Sequence, residues 1–511
     1  MTRMTPRVDE ELLSRFSDAV SERMGLLFPK ERWGDLERAV QSAGAELGFA
    51  RPEPTIRWFL SSNLDKKQTE ILASLLTVGE TYFFRDAGSF RALSEHILPA
   101  LISSRRENKR LRIWSAGCCT GEEPYSIAML LHSLLPDFKD WVITILGTDI
   151  NPRFLHKASE GIYGEWSFRE TPSWVQERFF VKRRDGRYEI LPAIRDAVTF
   201  APLNLIDDSY PSFLTNTNAM DLVLCRNVMM YFHPRRARTV VKKLFYALVD
   251  TGWLLVSPSE MSQTLFPEFE SVPFSDAFCY RKSARRVDET TPLPSLAETP
   301  APIPGVGDTH LFDISATVSF TRDPVPRDLP LEAKETKVIA APLAPQEIYQ
   351  RARAEYENGA YATAAALIRT SLEPYPDNAS LCSLLARILA SQGDLAGAEQ
   401  LCRRAIEADK LNHAHRYLYA TIVLEEGRES DAARSLHEAI YLDPDSPLPY
   451  FLLGNLAHRQ GRRREAGKHF RRTLRLLEQF PQDEVLHESE GMTAGRLMQI
   501  IDSFVQEEAH R

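Results

Sequence analysis

Glycine returns at a fixed interval in the last third of the chain: Gly359, Gly393, Gly427 and Gly461 stand 34 residues apart. Ala364, Ala398, Ala432 and Ala466 follow each glycine by five, and Ser371, Ala405, Ala439 and Thr473 form a looser third set. Pro376 and Pro444 close two of the repeats. Four matches at one spacing restrict residues 345–478 to one architecture, a solenoid of helix pairs. Each pair turns at its glycine and crosses at its small residues, and each repeat buries its face on the next. Met492–Phe504 reads as a capping helix. Arrays of this kind present a groove for a peptide or protein and rarely catalyse, so any chemistry belongs upstream.

Upstream, Ile113 to Ile127 reads I-W-S-A-G-C-C-T-G-E-E-P-Y-S-I. Apolar residues lead in as a buried strand, Ser115-Ala116-Gly117 makes a small-residue turn, and Pro124 opens a helix, where its missing N–H costs nothing. Strand, glycine turn and helix form the first unit of a doubly wound sheet, whose ligands bind at the carboxyl ends of the strands. Glu122 and Glu123 tell against phosphate, which wants bare N–H groups and positive charge at a helix start. They suit a cationic ligand rich in hydroxyl and amino donors, and S-adenosylmethionine is one. A second strand, Val142–Thr148, ends in Asp149, where nucleotide-binding folds hold a ribose diol. Acids at these places fit NAD as well. The turn Gly117-Cys118-Cys119-Thr120-Gly121 lacks the G-x-G-x-x-G spacing, which disfavours a dinucleotide. Further strands are expected at Asp221–Cys225 and Trp253–Ser257. A last run, Ala277–Arg281, leaves no room for a crossover helix and should pair antiparallel, as in methyltransferase sheets.

The segments around this unit are less specific. Val8–Met24 and Arg32–Leu47 carry apolar residues at three- and four-residue spacing and predict a small helical domain, either a cap on the α/β domain or a docking surface. V-G-E-T-Y-F-F-R-D at Val78–Asp86 reads equally as core or as a flap over the ligand site. Alternating apolar residues on either side of Arg183-Arg184-Asp185-Gly186 predict a β-hairpin over Phe179–Ile190, a partner-binding edge or a cover for the sheet. Residues 283–344 are rich in proline, threonine and acids. They bury too little apolar surface to fold, so they read as a disordered linker, with Leu311–Phe320 its one apolar patch.

Composition narrows the class further. A formal net charge of −8 argues against a protein devoted to nucleic acid or anionic membrane. Six scattered cysteines without a C-x-x-C pair read as small apolar residues of a reducing compartment. The first twenty residues lack a signal-peptide apolar region, and no run approaches the ~20 apolar residues of a membrane span. A cytoplasmic protein without membrane insertion is the expectation.

Five motifs now stand in order: V-G-E-T-Y-F-F-R-D, W-S-A-G-C-C-T-G-E-E-P-Y-S, G-T-D-I-N, A-P-L-N-L and C-R-N-V-M-M-Y-F. Together, over roughly residues 10–282, they resemble the chemotaxis receptor methyltransferases of the CheR type. The 34-residue period is that of tetratricopeptide repeats, and the whole chain is similar to the repeat-bearing members of that family. The resemblance implies methyl transfer from S-adenosylmethionine to a glutamate side chain of a methyl-accepting chemotaxis receptor, giving a γ-methyl ester. Carried over by motif, Thr81, Arg85, Glu123, Asp149, Asn204, Leu205, Cys225 and Arg226 would line the cofactor, and Arg85 and Tyr231 would stand near the methyl group. Some members have Asn where this chain has Gly79, so that contact is not carried over. No metal is implied.

The expected fold is thus α/β, in five parts. They are a helical domain (8–77), a Rossmann-like class I methyltransferase domain with a hairpin insertion (78–282), the linker (283–344), four repeats (345–478), and a capping helix with tail (479–511). A linker of about sixty residues reaches roughly 45 Å as a flexible coil. The array is therefore expected to lie outside the catalytic wall and either to recruit a protein partner, raising the enzyme's local concentration, or to bind the enzyme's own front half as a regulator. Two competing readings stay open. One is a small-molecule or other protein methyltransferase sharing the sheet, against which the helical front and the R-N-V-M-M-Y-F stretch argue. The other is a repeat scaffold of a chemosensory pathway with weak or no methyltransferase activity, which would carry a broken cofactor site.

Overall fold

A computed structural model describes residues 8–61, 66–274, 277–283, 344–357 and 359–509. The expected linker, with its Leu311–Phe320 patch, lies outside the described residues apart from its two ends.

Four helices, Glu10–Met24, Trp33–Glu46, Pro52–Ser61 and Lys66–Leu76, form the front of the chain. The first is capped by the Asp9 carboxylate, which accepts from the Leu12 N–H (3.2 Å), and it stops at Gly25. Phe16, Val20, Leu36, Val40, Ile56 and Phe59 make its dry interior.

The strands in chain order are β1 (Arg110–Ala116), β2 (Val142–Asp149), β3 (Ile162–Tyr163), β4 (Phe180–Lys182), β5 (Tyr188–Ile190), β6 (Val198–Pro202), β7 (Met220–Leu224), β8 (Leu248–Leu255), β9 (Phe269–Pro273) and β10 (Phe278–Lys282). Seven of them form one sheet in the order β6-β2-β1-β7-β8-β10-β9. All four pairs among β6, β2, β1, β7 and β8 are parallel, and β10 pairs antiparallel with both β8 and β9, as its short connection required. β1 and β7 are buried on both faces along nearly their whole length, as central strands of a parallel sheet are. Strand order reverses at β1, so the crevice at the carboxyl ends of β2, β1 and β7 is the place for a ligand. β6 and β9 were not foreseen; each is short and half-exposed, and neither has an alternating pattern. The hairpin forms as β4 and β5 within a second, three-stranded sheet, with Gly186 N–H donating to Arg183 O across its tip.

The repeats fold as read. The pairs are Pro345–Glu357 with Tyr361–Leu372, Ala379–Ser391 with Leu395–Ala408, His413–Glu425 with Glu429–Leu442, and Pro447–Arg459 with Arg463–Leu477; Ala494–Ala509 follows. Ala364, Ala398, Ala432 and Ala466 are fully buried where the helices cross.

The array packs on the amino-terminal edge of the large sheet, away from the carboxyl ends of its strands. Glu425, the last residue of a repeat helix, is buried between Arg110 (2.5 Å) and Arg112 of β1. Burial pushes its carboxyl up, but Arg112 and Arg110 outweigh this and hold it below its ordinary value. The turn of the first repeat at Gly359 lies against the Tyr246 ring so closely that a Cβ there would clash with it. Removing one partner of a buried pair strands the other charge. Glu425→Ala should therefore destabilise the protein by about 3 kcal/mol, read as a lowered unfolding midpoint in urea. An unchanged midpoint would mean that Arg112 is not held by the array.

Candidate active site

The crevice is built from a turn and a carboxylate. After Ala116 the chain leaves β1, and the N–H groups of Gly117 (2.7 Å) and Cys118 (2.9 Å) donate to Thr148 O of β2. Gly117 has φ +76°, and a Cβ there would stand 2.5 Å from Val228, so only glycine lets the two loops meet. Cys119 takes the left-handed region, and its N–H donates to Asp149 Oδ2 (2.9 Å). Asp149 Oδ1 accepts from the Asn151 N–H (2.8 Å). Burial pushes the Asp149 carboxyl up to about 6, against the pull of the backbone donors of Asn151, Cys119 and Ile150.

Around this turn lies a cleft of about 1020 Å³, open to solvent. On one side Glu123 accepts from Ser115 (2.7 Å) and from Arg226 (3.1 Å). Arg226 is buried, donates also to Arg85 O (2.7 Å), and pairs with Asp86 (3.3 Å). Its Nε–H is a buried donor with no protein acceptor. The Val78–Asp86 segment closes over the cleft and is core as well. Phe83 is fully buried against Phe168, Phe180 and Tyr163, while Thr81, Tyr82 and Arg85 line the opening. Phe84 and Asp86 both hold left-handed backbone angles, strain typical of a functional loop.

The helical front supplies part of the wall of the cleft. Met24 and Leu26 line it, Leu27 N–H donates to Tyr231 O (2.7 Å), and Asn204 Nδ2 donates to Arg23 O (3.2 Å). Thr81, Arg85, Glu123, Asp149, Asn204, Leu205, Arg226 and Tyr231 all face this one cleft. Cys225 does not, a correction: it is fully buried, its N–H donates to Leu255 O within the sheet, and it packs among Val223, Leu254 and Val256. The departure at Gly79 has a physical reason. A Cβ there would stand 2.7 Å from the Phe154 ring, which itself lines the cleft.

Sequence reasoning missed Glu260. Its Oε2 accepts from Asn227 N–H (2.6 Å) and Ser257 Oγ (2.6 Å), and Oε1 from Met230 N–H (3.2 Å), so one buried acid holds the loop that carries Val228 and Tyr231. Ser257-Pro258-Ser259-Glu260 is a capping box, a signal visible in the chain.

The match to known proteins runs through the same residues. The model of the CheR methyltransferase SAM-binding domain matches residues 79–277, and a tetratricopeptide-repeat model matches 349–413. A chemotaxis protein methyltransferase of Borreliella burgdorferi is 31% identical, covering 50% of this chain and 89% of its own. Chemotaxis protein methyltransferase 2 of Vibrio cholerae is 31% identical over 44% of this chain and 76% of its own. Chemotaxis protein methyltransferase 1 of Pseudomonas aeruginosa is 34% identical over 42% and 77%. S-adenosylmethionine is the cofactor of this domain, and the residues present fit it. Two carboxylates face a cationic, hydroxyl-bearing ligand, and one unpaired guanidinium N–H is left for its carboxylate.

The raised Asp149 value sets a pH dependence. The stability its neutral form confers is complete below about 3.8 and gone above about 6, while the ionised form is the better acceptor for the turn and for ligand hydroxyls. Affinity for S-adenosylhomocysteine should be level above pH 7 and fall below about 6, by up to about tenfold per pH unit. Asp149→Asn should bind more weakly with a flat profile. Calorimetry across pH 5.5–8 checks this, and a flat wild-type profile would refute it.

Proposed function

The chain belongs to the CheR methyltransferase family, and on that premise we propose that it methylates glutamate side chains of methyl-accepting chemotaxis receptors, forming glutamate 5-O-methyl esters. The observation that carries this reading is the complete cleft, in which eight motif residues from five separate stretches of chain converge at the switch point of the sheet. A non-catalytic scaffold would have no need of that convergence.

The bound cofactor supplies a methyl group already activated on a sulfonium. What remains for the protein is positioning and exclusion of water. In this reading Asp149 takes the ribose hydroxyls, Asn204 and Leu205 the edge and face of adenine, and Glu123 the amino group. Arg226 spans from Glu123 to the Arg85 carbonyl and so ties the cofactor wall to the flap. Thr81 closes that wall from the flap. A substrate glutamate with a pKa near 4.3 is already an anion at neutral pH, so no general base is required. Arg85 and Tyr231, on opposite loops of the opening, orient the incoming carboxylate. Arg85 is half-exposed beside Tyr82, able to align the nucleophile without gripping it tightly.

The hairpin presents β4 as the outer strand of its sheet, yet its tip is a tight turn closed by Arg183 and Glu189 (2.9 Å). It offers little to a tethering peptide, so methylation should not depend on the receptor's last residues. The repeats would bind a protein partner, as such arrays do. Among the described residues no helix is long and apolar enough to cross a membrane, and a cytoplasmic setting suits the reading.

The test is base-labile incorporation of labelled methyl into a cognate receptor. Arg85→Ala should lower turnover about 100-fold, the scale of a misplaced reacting group, with cofactor affinity changed far less. No base-labile label with the wild-type enzyme would refute the substrate assignment. A large loss on trimming the receptor's tail would refute the hairpin reading.

A further inference from the structure

Leu203, Asn204 and Leu205 wall the cofactor cleft, and the chain beyond them runs directly into the repeat array. Phe213 packs on the apolar core of the first repeats, and Leu214 is buried in that of the later ones, beside Tyr417 and Phe451. The Phe213 N–H donates to Glu490 Oε2 (2.8 Å). Glu490 Oε1 accepts from Tyr356 (3.0 Å) and Arg387 (3.1 Å). Tyr356, Arg387, Tyr417 and Phe451 stand on the first helices of the four repeats, so all four repeats converge on one short segment of the methyltransferase domain.

The grip extends to both ends of that segment. Arg496 donates to Pro202 O (3.3 Å), immediately before Leu203, and lies 3.7 Å from Asp207. Asn216 accepts from Arg112 through its backbone and side-chain oxygens (3.0 and 2.6 Å), and Arg112 pairs with Glu425 of the third repeat. Glu490 itself is nine-tenths buried and lies in a turn with Glu488 and Gly491, all three in the left-handed region. Such a conformation persists only where its surroundings fix it.

We propose that the repeat array is an internal brace for the cofactor cleft. Its groove holds the chain's own Ser209–Thr217 segment, and Glu490 is the positioning residue that fixes the Leu203–Leu205 wall through Phe213. The proposal rests on the reading of the cleft as the S-adenosylmethionine site. A soluble partner of the groove would compete with this segment, and would loosen the cleft where it succeeded.

The test uses the full-length chain, as wild type, Glu490→Gln and Arg496→Gln. Two quantities are measured: hydrogen exchange of the amides of 203–217, and calorimetric affinity for S-adenosylhomocysteine. Both variants should speed exchange across 209–217 and weaken the affinity about fivefold, the scale of coupling through a packed network. The KM for S-adenosylmethionine should rise in step, with turnover at saturating cofactor nearly unchanged. Should Glu490→Gln fail to fold, the more exposed Arg496→Gln decides. Wild-type exchange and affinity in the folded variants would overturn the brace. A wild-type chain that binds no S-adenosylhomocysteine would overturn the reading of the cleft instead, and the exchange data would still decide whether the array holds the segment.

Discussion

A single carboxylate at the end of β2 shapes the cleft. Asp149 accepts from Cys119 on the turn after β1 and from Asn151 at the start of the next helix. It thereby fixes the one place where the sheet's strand order reverses. Keeping an acid this deeply buried is unfavourable, which is why its carboxyl is pushed up to about 6. Two backbone donors offset part of that cost, and ligand hydroxyls would offset more.

The other walls are held by similar means, each from a different part of the chain. Glu260 gathers the loop after β7, the Arg226 guanidinium joins Glu123 to the flap, and the helical front lends Met24 and Leu26 together with a hydrogen bond to Tyr231. Buried polar groups of this kind are costly unless satisfied. Most here are satisfied by partners distant in sequence, so the cleft assembles only when all of these parts are in place. Arg226 Nε, buried and with no protein acceptor, departs from that pattern.

How much of this was legible in the sequence depends on the range of each interaction. The strand, glycine turn and helix, the β4–β5 hairpin and the repeat pairs are local, and their residue types specify them directly. The motif residues of the cleft were legible because chemistry restricts them. Cys225 misled because it was carried over by motif position alone; it follows directly on the buried strand β7, and its side chain is fully buried in the core. Glu260 was missed although its capping box is local, because nothing local says that a cap also receives a neighbouring loop. Gly79 could be explained only once Phe154 was seen to occupy its space. Binding of the array to the chain's own front half was one of two expectations, but the contacts that make it were illegible. Arg110, Arg112 and Glu425 look like ordinary surface charges until the fold brings them together.

Because the array and the methyltransferase domain belong to one chain, docking is an intramolecular event, whose effective concentration can reach about the millimolar range. An intrinsic affinity of about 4 kcal/mol, that of a millimolar complex, is then enough to favour the docked form. The Glu425 pair, the Glu490 latch and two apolar side chains inserted among the repeat helices are more than such an interface needs. The same arithmetic governs any rival for the groove. A free partner must either bind far more tightly than the chain's own segment or be presented at comparable local concentration, as on a clustered array of receptors. Such a setting would let the repeats exchange an internal ligand for an external one only where that partner is dense, and the segment it would displace continues from Leu203–Leu205 of the cleft wall.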